Sequence, residues 1–221
     1  MVELSASILN LKKENANRKF YDLEVAKIDY FHIDVMDGIF VKSNTEKLMK
    51  DYALTVSHIS NLGLDVHLMV QDIEEYIEEY LSLNPKIITF HIEASKEEHR
   101  TLELIKRIRE NGTKVGIAIS PDTSLDLIKK YLNLIHMVLV MTVVPGKGGQ
   151  LLIPETIKKI QSLKKYIDEN NIDIDIEADG GINNENSKDV IDAGANILVV
   201  GSYLLNSDNY SETVNIIKSS Y

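Results

Sequence analysis

Eight short apolar runs divide this sequence, and most of the stretches between them carry helical rather than strand periodicity. The runs cover residues 3–9, 30–36, 64–69, 87–91, 114–119, 137–142, 174–178 and 197–201, and are rich in Val, Ile, Leu and Tyr. Between them, Ile153, Ile157, Ile160, Leu163 and Ile167 mark one face of a helix over 154–170. Ile73, Tyr76, Ile77, Tyr80 and Leu81 do the same over 72–83, and a helix over 100–110 stops at Asn111-Gly112. Pro121-Asp122-Thr123-Ser124 reads as the capped start of another helix. Residues 39–63 run loop and helix together without a clear cap. Strand and helix in alternation make a doubly wound open sheet or a closed barrel, and eight units in 221 residues favour closure. No linker or Pro/Gly-rich boundary interrupts the chain, so residues 1–221 are expected to form one (β/α)8 TIM-barrel domain.

The polar residues strengthen that expectation. Ser7, His32, Asp34, His67, His91, Met141, Asp179 and Gly201 fall at the C-terminal ends of the runs. A barrel collects its active site there. Within Tyr30–Met36, side chains alternate between faces, so His32 and Asp34 point the same way, just before the turn at Gly38. His67 in Asp65-Val66-His67-Leu68-Met69 and Asp179 in Ala178-Asp179-Gly180-Gly181 occupy matching positions on two other runs. Two histidines and two aspartates at one barrel end could bind one divalent metal ion, which satisfies buried imidazole and carboxylate better than a lone hydrogen bond does. His91 and Glu93 form a similarly spaced pair that reads as supporting structure, because no glycine turn follows it.

Three glycine loops close the chain's second half: Gly146-Lys147-Gly148-Gly149, Gly180-Gly181 and Gly201-Ser202. Glycines allow close backbone approach, and their N–H groups can cradle an anion. Barrels commonly place a phosphate site late in the chain, and a helix start after Gly201 would add its dipole. Met36, Met69 and Met141 end three strands at similar depth, as flexible core fillers or as an apolar floor beneath a ligand.

Composition narrows the partners. With 24 Lys and Arg against 34 Asp and Glu, the net charge of -10 argues against a nucleic-acid surface. There is no cysteine, so disulfides, thiolate catalysis and zinc fingers drop out, and any metal takes N and O ligands. A His2Asp2 set admits zinc, iron, manganese or cobalt. The N-terminus lacks a basic start and long apolar core, and no apolar run approaches ~20 residues, so no membrane span and a cytoplasmic location are expected.

Taken together, Ser5-Ala6-Ser7-Ile8-Leu9, DVMDG at 34–38, DVHLM at 65–69, MTVVPGKGGQ at 141–150, DGGI at 179–182 and AGAN…VGS within 193–202 resemble the ribulose-phosphate 3-epimerase family. The match is ordered and spans nearly the whole chain. The resemblance implies a barrel with a divalent metal on His32, Asp34, His67 and Asp179. It also implies Ser7 and His67 at the substrate, and the phosphate held by Gly146, Lys147, Gly148, Gly149, Gly180, Gly181, Gly201 and Ser202. Asp34 would remove the C3 proton and Asp179 return one from the opposite face, interconverting D-ribulose 5-phosphate and D-xylulose 5-phosphate in the pentose phosphate pathway. The resemblance further implies a homo-oligomer.

The chain departs from the family pattern at Lys147, where an aromatic residue is usual, at Ile39–Asn44, where HFVPN is typical, and after Leu9, where Ser-Ala-Asp-Phe is absent. These changes touch loops and spare the proposed ligands, so an allulose 6-phosphate 3-epimerase is the nearest alternative. A sugar-phosphate lyase or decarboxylase usually carries a D-x-K-x-x-D strand end, which is missing here. A non-catalytic phosphate-binding barrel is disfavoured because every metal and acid/base position is filled.

Overall fold

All eight apolar runs form strands. The structure, a computed structural model, describes residues 2–219. The chain runs β1 (Glu3–Ser7), α1 (Ala16–Val25), β2 (Tyr30–Met36), α2 (Glu46–Ile59), β3 (Gly63–Met69), α3 (Ile73–Leu81), β4 (Ile87–His91), α4 (Ile92–Ser95) and α5 (Glu98–Glu110). It continues through β5 (Lys114–Ile119), β6 (Met137–Met141), α6 (Glu155–Glu169), β7 (Asp175–Asp179), α7 (Ser187–Asp192), β8 (Ile197–Val200), α8 (Ser202–Leu205) and α9 (Tyr210–Lys218). Each strand pairs in parallel with the next and β8 pairs with β1, which closes the barrel.

Alternation along the strands divides the buried residues in two. Leu4, Phe31, Ile33, Val66, Phe90, Ile117, Val138 and Leu198 face outward and pack with Phe20, Tyr52, Ile77, Leu104 and Ile160 of the helices. Burying each such side chain stabilises the fold by about 1.5–3 kcal/mol. Inside the barrel, Ile87, Ala118, Met137, Leu139, Met141 and Ile197 make a smaller apolar cluster drawn from β4, β5, β6 and β8. Much of the rest of the interior is polar, with Ser5, His32, Asp34, Asp65, His67, Thr89, His91, Glu177 and Asp179 buried on β1–β4 and β7. Burying so many polar groups is costly unless they satisfy one another, so they sit contiguously.

Two local expectations change, and one unread stretch resolves. Pro121–Ser124 starts no α-helix; Ser124 Oγ accepts from the Asp126 N–H and caps a 3-10 turn at Leu125–Leu127, followed by another at Lys129–Leu134. The illegible stretch after Gly38 resolves into a loop and α2, with the loop folded by Asp37. That carboxylate accepts from the N–H groups of Ile39 and Phe40 at 2.7 and 2.8 Å and from Gln71 N–H at 2.6 Å. The helix after Gly201 is only four residues long, too short to supply a substantial dipole. The stop at Asn111-Gly112 forms as expected, with Gly112 at φ +76°.

Candidate active site

Register builds the site. On β2 and β3 the pairing sets His32 level with Asp65 and Asp34 level with His67. Two i, i+2 pairs of opposite order, His-x-Asp and Asp-x-His, therefore interlock, and Glu177-x-Asp179 on β7 completes the cluster. His32 Nε2 lies 3.4 Å from Asp34 Oδ1 and 3.7 Å from Asp179 Oδ2. His67 Nδ1 lies 3.6 and 3.3 Å from the same two oxygens. Among the described residues neither nitrogen has a hydrogen-bond partner, although both are buried.

That arrangement fits a divalent ion. The donor atoms of His32, Asp34, His67 and Asp179 lie within 4.8 Å of one another. The separations of 3.3–3.7 Å are close to the ~3.4 Å edge of a tetrahedron with bonds of ~2.1 Å. The electrostatics also call for a cation. Burial opposes charge on His32, but the Asp65 and Asp34 carboxylates outweigh it and raise its pKa well above the ordinary value. Burial likewise opposes charge on His67, and the nearby Asp179 and Asp34 carboxylates outweigh it and raise its pKa. Burial would raise the Asp34 carboxyl, yet the His32 and His67 imidazoles hold it well below the usual range. Protons on the imidazoles, or a metal ion between them, balance the buried carboxylates.

Each histidine is oriented by its other nitrogen. His32 Nδ1 donates to Asp65 Oδ2 at 2.6 Å, and that oxygen also accepts from Ser5 Oγ at 2.7 Å. Nε2 is then the nitrogen that faces Asp34 and Asp179. Beside Asp65, Glu177 has no donor for either oxygen. Burial and the Asp65 charge push its pKa well up, so it stays a neutral acid whose proton can meet Asp65 Oδ1. His32, Asp65 and Glu177 also form a compact donor group. The direct 2.6 Å contact between His32 and Asp65 leaves no room for an ion between them.

Above the cluster opens a cavity of about 220 Å3. Met36, Met69 and Met141 line it and contribute apolar surface. Ser7, Asp34, Asp179, Gly146, Lys147, Gly148, Gly149, Gly180, Gly181, Gly201 and Ser202 all line it. His32 and His67 do not. Both are fully buried beneath it, with His67 Nδ1 facing the Asp34 and Asp179 carboxylates. Ser7 lines the cavity but spends its hydroxyl on Asp34 Oδ2, donating at 2.7 Å.

The glycine loops close tightly. A Cβ on Gly181 would lie 2.5 Å from Leu152 N, and Gly181 sits at φ +68°, a conformation that favours glycine. Gln150 Nε2 donates to the carbonyls of Val144 and Lys147 at 2.7 and 2.9 Å and rigidifies the loop that carries Lys147. Among the described residues, Lys147 is the one cationic side chain lining the cavity.

With that geometry in place, the sequence profile of the Ribulose-phosphate 3 epimerase family matches residues 3–205. The chain belongs to that family. It is 37% identical over 221 residues to a ribulose-phosphate 3-epimerase of Bacillus subtilis, covering 100% of both chains. It is 38% identical to one of Methanocaldococcus jannaschii, over 99% of this chain and 90% of that one. Among solved structures, a 3-keto-L-gulonate-6-phosphate decarboxylase from Vibrio cholerae superposes with a TM-score of 0.74 at 12% identity, covering 99% of this chain and 96% of that one. At such identity the likeness concerns the barrel alone.

Sequence reading of this epimerase-family chain missed Asp65, Glu177, Asn10 and Gln150. The first two carry a legible signal, since Asp65-x-His67 and Glu177-x-Asp179 repeat the spacing of His32-x-Asp34. Asn10, whose Nδ2 donates to Ser202 Oγ at 3.1 Å, comes from the far end of the sequence and carries none. Among the described residues, no helix is long and apolar enough to cross a membrane.

Proposed function

We propose that the chain is a ribulose-phosphate 3-epimerase that interconverts D-ribulose 5-phosphate and D-xylulose 5-phosphate. The observation that carries this reading is the meeting of Asp34 and Asp179 at the cavity floor, from strands β2 and β7, around two histidine nitrogens without partners. Epimerising a carbon beside a ketone requires a base on one face, an acid on the other and stabilisation of the enediolate between them.

Asp34 takes the C3 proton in one direction, its other oxygen held by the Ser7 hydroxyl. Asp179, in its acid form, returns a proton to the opposite face, and the two exchange roles in reverse. His32, Asp34, His67 and Asp179 would hold the divalent ion, which supplies Lewis acidity toward the substrate oxygens. Met36, Met69 and Met141 give the cavity an apolar lining for the carbon skeleton. Glycine N–H groups at 146–149, 180–181 and 201, with Ser202 and the Lys147 ammonium, take the phosphate at the other end of the cavity.

Turnover of purified, metal-supplemented protein on ribulose 5-phosphate, compared with allulose 6-phosphate, tests the proposal. A clear kcat/KM preference for the pentulose is expected. Preference for the hexulose would reassign the substrate, and turnover of neither would overturn the reading.

A further inference from the structure

His91 and Glu93 take no part in the cavity, yet they connect to it. His91 ends β4 and is fully buried, with Phe40 against its ring at 4.9 Å between centroids. Its Nε2 lies 2.9 Å from Nε2 of His67, and its Nδ1 lies 3.0 Å from Glu93 Oε2. The other Glu93 oxygen accepts from the Ser120 N–H at 2.7 Å and from the Thr123 hydroxyl. Lys159 Nζ donates to the carbonyls of Ser120 and Thr123 at 3.0 and 2.7 Å and anchors that loop.

These contacts have a forced polarity. A backbone N–H only donates, so Glu93 Oε1 accepts and Oε2 is left to accept from His91. The two Nε2 atoms of His91 and His67 face each other at 2.9 Å, so one of them donates and the other accepts. A neutral imidazole has one proton. With it on Nδ1, the His91 Nε2 is bare and can only accept, so His67 must keep a proton on its own Nε2.

We infer that Glu93, acting through His91, is a positioning residue that holds a His67 proton on Nε2 and thereby leaves Nδ1 as the nitrogen turned toward Asp34 and Asp179. The two histidines of the cluster are thus set in opposite senses. Asp65 binds Nδ1 of His32 and frees Nε2, whereas the Glu93–His91 relay binds Nε2 of His67 and frees Nδ1. The consequence for metal affinity rests on the proposed ligand role of His67; the polarity of the relay does not.

The test uses the full chain with 15N-labelled histidine, whose long-range 1H–15N spectra report which ring nitrogen is protonated, without metal and after zinc addition. In the wild type, His91 should carry its proton on Nδ1 in both states, and zinc-loaded His67 should be protonated on Nε2. Glu93→Gln presents an amide that cannot satisfy the Ser120, Thr123 and His91 donors together. It should shift the His91 proton toward Nε2 and raise the zinc dissociation constant, read by chelator competition, about 10- to 100-fold. Glu93→Asp, which keeps a charged acceptor, should recover part of that loss. A wild-type His91 protonated on Nε2 overturns the inference, and that spectrum decides even if the glutamine variant does not fold. Wild-type zinc affinity in a folded Glu93→Gln variant also overturns it. A chain with these tautomers and affinities that fails to epimerise ribulose 5-phosphate would sink the proposed activity and leave the relay standing.

Discussion

His32 Nδ1 sits 2.6 Å from Asp65 Oδ2, between neighbouring strands and level in register, with both side chains fully buried. Removing the acceptor leaves a buried N–H unpaired and frees His32 to change tautomer. Asp65→Ala should weaken metal binding about 10- to 100-fold and destabilise the fold by roughly 3 kcal/mol. Asp65→Asn keeps an acceptor oxygen without the charge, so it should fall between wild type and alanine in both measures. Chelator competition and denaturant titration check the order; equal effects of the two variants would show that the hydrogen bond to His32 does not matter.

About one divalent ion per chain should be found by elemental analysis, bound through His32, Asp34, His67 and Asp179. Exhaustive chelation should abolish epimerisation, and re-adding zinc, iron, manganese or cobalt should restore it to differing degrees. His67→Ala should lower occupancy even where the fold persists. Full activity in verified metal-free protein is the result against this prediction.

Lys147 and Gly201 line the same cavity but should fail differently. Lys147→Ala removes an exposed charge, so KM for the phosphorylated ketose should rise several-fold at low salt, with less effect at high salt and little change in kcat. Gly201→Val should raise KM more, independently of salt. Even a Cβ there would stand 3.3 Å from Ser7 Cβ, and the larger side chain intrudes where the phosphate is placed. No salt-sensitive change in KM for Lys147→Ala would assign that ammonium to solvent.

Asp34 and Asp179 are separable by isotope. In deuterated water the wild-type product should gain deuterium at C3 while recovered substrate gains it more slowly in the early phase. Asp179→Asn removes an acid together with a metal ligand, so metal content is measured alongside. With metal retained, epimerisation should fall about 100- to 10,000-fold while C3 exchange of one epimer through Asp34 persists. Wild-type epimerisation by that variant would rule out Asp179 as the second acid.

Much of the molecule is determined by the sequence itself. The eight runs lie within a few residues of the observed strands because buried β-branched and aliphatic stretches bounded by turns have few alternatives. A period of two also settles which residues share a face, so His32 and Asp34 could be paired before any coordinates. Helix starts were less legible. Thr45 precedes α2 yet spends its hydroxyl on the Asp34 carbonyl and the Met36 N–H, a tertiary use that local capping rules do not anticipate. At Pro121, the same capping residues serve a 3-10 turn, and Thr123 turns its hydroxyl to Glu93.

What only the tertiary structure decided is which groups stand level with one another. Alternation leaves the register between strands open, and register set Asp65 beside His32 and His67 beside Asp34. Closure then brought Glu177 and Asp179 across from β7, and the turn after β4 carried Glu93 to His91. A hydrogen bond acts over about 3 Å, whereas sequence spacing locates a side chain only on a face and along its own strand. The residue types of this site could therefore be read from the chain, but the direction in which each histidine points its free nitrogen follows from neighbours that only the closed barrel supplies.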